Sequence, residues 1–181
     1  ISLGGNWSVT STNANPFIEQ QGSVIFNGTA LQTITTVLAG GETFYNLIIS
    51  NPVEVQLMSN LNSNNLTINN GAVLNANTRA MNITGHWANL GGTFTPSSNT
   101  VTFNGALLQN ISKPTAENFY NVVFDNTSTK LLACPIDVAN NLTIAGTAVL
   151  DVSASNYFIS VGNNWNVTST NINPFEERSG T

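Results

Sequence analysis

Short runs of alternating apolar and polar residues recur along the whole chain. Runs such as SVIFN, NLTIN, TVTFN and NVVFD are rich in Val, Ile, Phe and Thr, and Asn, Gly or Ser bounds each of them. This pattern predicts short β-strands. Their starts are about 17 to 22 residues apart, a repeat length that is typical of solenoids. No segment combines a helical apolar period with capping residues, so the sequence predicts no substantial helix.

The chain also repeats itself at two longer spacings. The stretch NWSVTSTNANPFIE near the start returns near the end as NWNVTSTNINPFEE. Half-way between them, GHWANLGGTFTPSSNTVTFNG supplies a third tryptophan block, and the intervals between tryptophans are 80 and 78 positions. We therefore expect one continuous domain over residues 1–181, with internal repeats at 5–84 and 85–162 and a partial repeat at 163–181.

A strand-rich repeat of this length predicts an all-β fold, namely a parallel β-solenoid of about eight coils with about four coils per tryptophan repeat. Each strand would pair with its equivalent one coil away, and inward Val, Ile, Leu and Phe would stack into a continuous core. The coil is expected to be right-handed, because parallel crossover connections take that hand. Asn residues suit the corners and can form side-chain ladders along the axis.

The competing architecture is an array of two Ig-like β-sandwiches, one for each tryptophan repeat. A unit of about 79 residues is short for such a sandwich. The sandwich also leaves the finer period of strand starts unexplained, so the β-solenoid is the favoured interpretation.

The composition narrows the range of partners. Charged residues make up only 7% of the chain, the formal net charge is −5, and Lys plus Arg number four. Nucleic-acid-binding surfaces and basic membrane-surface helices both need many cations, so neither kind of partner is expected. No apolar run approaches the length of a membrane-spanning helix, so no membrane insertion is predicted. With 41% hydrophobic residues, the chain has enough apolar material for a folded core.

The side chains that usually carry catalysis or bind metals are few and scattered. His86 is the only histidine and Cys134 the only cysteine, which leaves no multi-histidine metal site and no internal disulfide. The nine acidic residues are scattered, with only Glu176 and Glu177 adjacent, and they lack the clustering that a polysaccharide-cleaving site needs. We therefore predict that the chain is not an enzyme and binds no metal or cofactor. Glu19 and Glu177 occupy equivalent repeat positions, which indicates a structural or interface role.

The best candidates for a contact site are the aromatic residues of the repeat. Exposed rings could stack on sugar faces or on a neighbouring subunit, or the same rings could cap the core at a recurring corner. The packing interpretation is favoured. The candidate contact and repeat residues are Trp7, Phe17, Glu19, Trp87, Trp165, Phe175 and Glu177.

Both ends of the sequence fall inside a coil of the predicted repeat. ISLGGNW at the start matches ISVGNNW from Ile159, and the last five residues match those that precede the strand VIFNG in the first unit. An open solenoid end exposes unpaired backbone groups over the core and associates with its like. We therefore expect the ends to stack on neighbouring repeats of a longer chain, or on other copies head to tail, which would yield filaments.

The motifs GNW, GGTFTPSSNTVTFNG, LQTI, FYNLIISN and NNLTINNGAVLNA resemble the repeats of very large secreted bacterial surface proteins. The resemblance covers nearly the whole chain, and it implies an extracellular, adhesin-like or filamentous β-helix. One departure is that the first and third tryptophan blocks read VTSTNxNPFxE where the middle block reads GTFTPSSNT. This alternation predicts two distinct faces or contact sites in each unit of two tryptophan repeats.

Together these features predict a structural or adhesive extracellular protein at the cell surface, as a repeat segment of a fibre, sheath or adhesin stalk. Its expected partners are copies of itself or neighbouring repeats, and surface glycans are a further candidate partner. The alternative is a carbohydrate-binding module that uses exposed aromatic rings.

Overall fold

The computed structural model describes residues 1–179. All of the regular secondary structure in this part of the chain is β-strand. No helix in this described part is long and apolar enough to cross a membrane. The strands are β1 (Ser2–Leu3), β2 (Trp7–Val9), β3 (Ser23–Phe26), β4 (Gln32–Thr36), β5 (Glu42–Ile49), β6 (Val55–Leu57), β7 (Leu61–Ile68), β8 (Val73–Asn75), β9 (Met81–Ile83), β10 (Trp87–Asn89), β11 (Thr93–Thr95), β12 (Thr100–Phe103), β13 (Gln109–Ser112), β14 (Glu117–Phe119), β15 (Asn121–Phe124), β16 (Thr129–Leu132), β17 (Ile136–Val138), β18 (Leu142–Ile144), β19 (Val149–Asp151), β20 (Ile159–Val161), β21 (Trp165–Val167) and β22 (Phe175–Glu176).

The strands stack in three columns, which form the three faces of a β-solenoid. Each coil runs through face 1, then face 2, then face 3. The long strands β5 and β7 turn a corner, so their first halves lie on face 3 and their second halves on face 1. Face 1 contains β1, β3, the second halves of β5 and β7, β10, β13, β16, β19 and β22. Face 2 contains β2, β4, β6, β8, β11, β14, β17 and β20, and face 3 contains the first halves of β5 and β7, β9, β12, β15, β18 and β21.

The structure confirms the predicted all-β parallel solenoid of about eight coils. Val101 on β12 pairs in parallel with Met81 in the coil before it and with Val122 in the coil after it. Inward side chains stack in the same register, because a strand points alternate residues to opposite sides. Phe26 and Ile49 are paired neighbours on face 1, and both are fully buried in a core that is continuous along the axis.

The predicted asparagine ladders are present at the corners. Asn140 donates from Nδ2 to Oδ1 of Asn121 at 2.9 Å, and Asn163 donates in turn to Oδ1 of Asn140 at 3.1 Å. Asn65 bonds Asn46 in the same way at 2.9 Å. Each amide has both a donor and an acceptor, so such a ladder satisfies corner side chains from one coil to the next.

The tryptophan repeat is not a whole number of coils. Trp7 lies on face 2, Trp87 on face 1 and Trp165 on face 3. Between successive tryptophans the chain crosses eleven face positions, if residues 10–22 are counted as a face 3 segment without a strand. Three positions make a coil, so each repeat spans three and two-thirds coils. This is one face short of the predicted four coils.

Equivalent residues of successive repeats therefore lie on adjacent faces of the solenoid. Gln32 lies on β4 of face 2, whereas its repeat equivalent Gln109 lies on β13 of face 1. The two VTSTNxNPFxE blocks begin on face 2 and face 3. A cycle over three faces thus replaces the alternation between two faces that the sequence predicts.

Candidate functional site: the tryptophan clusters

Trp87 is the centre of a closed aromatic cluster with Phe94, Glu117 and Phe119. Its side chain is fully buried, and its ring packs edge-to-face against Phe94 and Phe119, with centroid distances of 4.9 and 5.4 Å. Its indole Nε1 donates a hydrogen bond of 2.8 Å to Oε2 of Glu117. The phenylalanines and the glutamate all come from face 2, so this cluster ties face 1 to face 2 in the interior. Trp87 presents no surface to an external ligand.

Glu117 is a buried carboxylate whose two oxygens are both satisfied. Asn89 donates to Oε2 at 2.8 Å, and Oε1 accepts from Lys113 Nζ at 2.9 Å and from the amide of Asn118 at 3.1 Å. A buried charge requires such partners, since unpaired it would lose its solvation without compensation. Burial raises the pKa of the nearby Cys134 thiol to about 11, and the charge of Glu117 adds to the rise. The thiol is therefore protonated and unreactive at neutral pH.

Trp7 forms the same cluster one repeat earlier. Its ring packs edge-to-face against Phe17 at 4.8 Å and against Phe44 at 5.2 Å, and Nε1 donates to Oε2 of Glu42 at 2.9 Å. Here the tryptophan comes from face 2 and the glutamate from face 3. The residue four positions before the glutamate is Leu38 here and Lys113 in the second repeat, and within residues 1–179 no cation pairs with Glu42 as Lys113 pairs with Glu117. Trp7 and Phe17 are only half-buried.

Beside both completed clusters, the strands of two neighbouring coils do not pair. On face 2, β11 pairs with β8 and β14 pairs with β17, but β11 and β14 do not pair with each other. Phe94 lies on β11 and Phe119 on β14, and the Trp87 ring contacts both. On face 3, the segment that carries Phe17 forms no strand beside β5. The indole thus bridges two neighbouring coils by side-chain contacts where their strands do not pair.

Trp165 has only half of this arrangement. Its ring packs edge-to-face against Phe175 at 5.1 Å, which matches the tryptophan–phenylalanine pairs of the other two clusters. No residue among 1–179 accepts a hydrogen bond from its indole, and no glutamate–phenylalanine strand of this part of the chain covers it. The side chain is accordingly 39% exposed. Beside it lies a cavity of about 450 Å³, whose wall includes Tyr157, Phe158, Trp165, Phe175 and Glu177.

The acidic candidates Glu19 and Glu177 lie outside the clusters. Glu19 is half-exposed and borders a shallow surface groove next to Phe44 and Tyr45. Its backbone carbonyl accepts a hydrogen bond of 2.8 Å from the amide of Gly22, which closes a turn. Glu177 is exposed at the rim of the Trp165 cavity. Within residues 1–179 neither carboxylate takes part in a hydrogen bond or an ion pair.

A glutamine in each of the two full repeats forms hydrogen bonds with the backbone just before the tryptophan. Gln32 is buried, its Oε1 accepts from the amide of Gly28 at 2.8 Å, and its Nε2 donates to the carbonyls of Leu3 and Gly5 at 2.9 and 2.5 Å. Gln109 repeats this set of bonds with equivalent partners, which are the amide of Gly105 at 2.8 Å and the carbonyls of Ile83 and Gly85 at 2.9 and 2.6 Å.

The burial of Gln32, Glu42, Gln109 and Glu117 is not predicted by the alternation of apolar and polar residues. The available signal is positional, because each glutamate stands two residues before the phenylalanine of FYN. Each glutamine likewise follows the glycine of FNG by four positions. Polar residues that recur at fixed places in an apolar framework indicate buried hydrogen bonding.

The remaining reactive side chains are dispersed. His86 uses Nδ1 to accept a hydrogen bond of 3.1 Å from the amide of Asn110. Residues 1–179 contain no group of three or more His, Cys, Asp or Glu side chains that could hold a metal ion. Lys130 is fully buried and donates to the carbonyls of Gly105 and Thr127 at 2.6 and 2.9 Å.

The contacts that recur between repeats are therefore buried hydrogen bonds and aromatic packing in the interior, and one incomplete aromatic cluster lies at the surface. No family model matches the chain, and no curated protein or solved structure matches it either, so its function must be argued from the fold and the clusters.

Proposed function

We propose that this chain is a structural segment of an extracellular fibre, sheath or adhesin stalk, in which further repeats of the same kind are its neighbours. The observation that carries the proposal is the location of the residues that the repeats share. Those residues lie mainly in the core and in the polar braces. Selection for a rod with a constant cross-section accounts for such a pattern, because the stacking of coils depends on the interior.

Comparison of the two full repeats illustrates this point. In both copies of the strand that starts with glutamine, Gln32 and Ile34 match Gln109 and Ile111, and all four are buried. The outward positions between them differ. Further equivalent and buried pairs are Phe26 and Phe103, Phe44 and Phe119, Leu66 and Leu142, Ile68 and Ile144, Ala72 and Ala148, and Leu74 and Leu150.

The architecture suits a load-bearing spacer. Parallel ladders run along the axis on all three faces, and about eight coils at about 4.8 Å each give a length of about 38 Å. Length in such a fold grows simply by adding coils, since each coil contacts only its neighbours. The resemblance of the motifs to repeats of large secreted bacterial surface proteins supports the extracellular setting.

Electron microscopy of the protein as isolated from its source, undigested, tests this proposal. We expect fibres or long stalks, and antibodies raised against residues 1–179 should label them at the cell surface. Compact particles the size of one chain, or label confined to the cell interior, would contradict the structural role.

A carbohydrate-binding module is the second candidate, and one observation favours it. Trp165 and Phe158 are 39% and 59% exposed beside the cavity, and exposed rings are the usual platform for sugar stacking. Binding to a glycan panel, with Trp165→Ala as the variant, tests it. The module is supported if the protein binds a glycan and the variant does not. Equal binding by the variant would exclude this surface.

A further inference from the structure

We infer that the surface formed by Trp165 and Phe175 is a recognition site for a β-coil that carries a Glu-Xaa-Phe strand, supplied by a further repeat of this kind. This inference rests on the proposed structural role for the source of the coil. The recognition itself rests on two completed examples within the same molecule.

The first argument is that half of the site is already assembled. The tryptophan–phenylalanine ring pairs have centroid distances of 4.8, 4.9 and 5.1 Å in the three repeats, and their interplanar angles are 76°, 79° and 77°. The third pair therefore has the same geometry, although no Glu-Xaa-Phe strand among residues 1–179 covers it. A preformed site loses little conformational freedom on binding, which favours association.

The second argument is that the two completed clusters have the same occupant. Over Trp7 it is the strand with Glu42 and Phe44, and over Trp87 it is the strand with Glu117 and Phe119. In both, the glutamate accepts from the indole and the phenylalanine packs on its ring. The exposed Trp165 indole offers the same donor beside a cavity of about 450 Å³.

The third argument concerns the polar brace that accompanies each occupant. The glutamine of the occupying coil bonds two carbonyls in front of the tryptophan, those of Leu3 and Gly5 in the first repeat. By the offset between Trp7 and Trp165, the equivalent residues are Val161 and Asn163. They lie on the segment that leads into Trp165, so a glutamine in the incoming coil has matching acceptors.

The rotation of the repeat fixes where the occupant lies. The glutamate strand follows the tryptophan by one face, from face 2 to face 3 in the first cluster and from face 1 to face 2 in the second. For Trp165 on face 3, the occupant therefore covers Phe175 on face 1. Because the neighbouring coils do not pair as strands beside the tryptophan at the two completed sites, recognition here depends on the rings and the glutamate more than on strand pairing.

The test is a synthetic peptide with the sequence of residues 24–46 of this chain, VIFNGTALQTITTVLAGGETFYN, which holds the glutamine and the Glu-Xaa-Phe strand. It is titrated into the intact protein, and the indole Nε1–H signals of the tryptophans are followed by NMR. We expect saturable binding, a selective shift of the Trp165 signal and slower exchange of its proton. Peptides with Phe44→Ala or Glu42→Ala should bind at least about tenfold more weakly.

Protein variants supply the matched controls. Trp165→Ala should abolish binding, and because its side chain is 39% exposed, with Phe175 as its aromatic neighbour among residues 1–179, its removal leaves the other coils intact. Leu107→Ala, at a side chain that is 79% exposed on a different strand connection, should bind as the wild type does. Binding of a scrambled peptide with equal affinity, or no binding of the cognate peptide, would overturn the inference.

Two further outcomes would assign the surface to another partner. A glycan that shifts the Trp165 signal when the peptide does not would make it a sugar site. Self-association of the protein that Trp165→Ala abolishes, without peptide binding, would make it a contact between copies. Failure of this inference is distinct from failure of the structural role, because the micrographs report fibres whether or not this peptide binds.

Discussion

Trp87 and Glu117 are joined by a hydrogen bond of 2.8 Å in the interior, where both side chains are completely shielded from solvent. The pair spans two faces of the solenoid, at the place where the ladder on face 2 is interrupted. Its equivalent, Trp7 with Glu42, lacks a cation and lies nearer the surface. This difference between two copies of one arrangement allows the energetic role of the buried charge to be measured.

Replacement of Glu117 by alanine should destabilise the protein strongly. The substitution leaves the Trp87 indole, the Asn89 amide and the Lys113 ammonium without their acceptor, and breaking a buried ion pair costs about 3 to 5 kcal/mol. Glu42→Ala should cost about 1 to 2 kcal/mol, since it leaves the indole of the half-buried Trp7 without its acceptor. Denaturant unfolding of both variants measures the two losses. Equal losses would show that the Lys113 and Asn89 contacts contribute nothing.

Replacement of Gln109 distinguishes the contribution of its hydrogen bonds to stability from the contribution of the volume that its side chain fills. Gln109→Ala removes three hydrogen bonds to buried backbone groups and should cost at least about 2 kcal/mol. Gln109→Glu keeps the shape and can still accept from Gly105, but an ionised carboxylate cannot donate to Ile83 and Gly85. Its cost should therefore be smaller at pH 4 than at pH 7, since a protonated carboxyl can donate once. An unchanged cost across this range would contradict the assigned donor direction.

Lys130 should make stability increase with pH in the alkaline range. Burial lowers the pKa of its ammonium to about 8, against the opposing attraction of Asp125, whereas the unfolded chain has the ordinary value of 10.5. Between these values the unfolded state binds more protons, so the free energy of unfolding rises with pH. The full penalty is present below pH 8 and disappears above pH 10.5.

The variant Lys130→Met isolates this contribution, because other titrating groups cancel in the comparison. The free energy of unfolding of the wild type, relative to that of Lys130→Met, should be larger at pH 10 than at pH 7.5, so the wild type gains stability. Urea unfolding at the two pH values gives both differences. A difference that stays constant would mean that Lys130 titrates normally in the folded protein.

A tandem array of these repeats should have screw symmetry. Each repeat adds three and two-thirds coils, a rise of about 18 Å, and turns the motif by one face. The same face should carry the same motif only after three repeats, or about 53 Å. Helical reconstruction from electron micrographs of a tandem polypeptide measures both quantities. Identical features on one side at every repeat would contradict the three-face cycle.

The sequence was sufficient to predict the class of fold because the relevant signal is local and recurrent. Runs such as TVTFN alternate with period two, and the structure pairs Val101 with residues one coil away on both sides, as the spacing predicts. The corner role of asparagine follows equally from its local chemistry. These features depend on each residue and its near neighbours in sequence.

The three-face cycle and the burial of each tryptophan could not be predicted from the sequence, and the reason is physical. Strands such as β5 and β7 turn a corner without ending, and only two successive outward residues mark the turn, so the number of strands does not give the number of faces per repeat. Trp87 is buried and Trp165 is exposed, because burial depends on the coil that lies above. That coil is about 30 residues away from Trp87 in the sequence.

The ladder interruptions at the tryptophans have a mechanical consequence. A rod with all its unpaired segments on one side would be less stiff along that side. It would therefore bend most easily in one plane. Here the unpaired segments beside Trp7 and Trp87 lie on face 3 and face 2, so they are on different sides of the rod. A rod extended by the same rule has nearly equal bending rigidity in every direction. It would flex under lateral flow without a preferred plane.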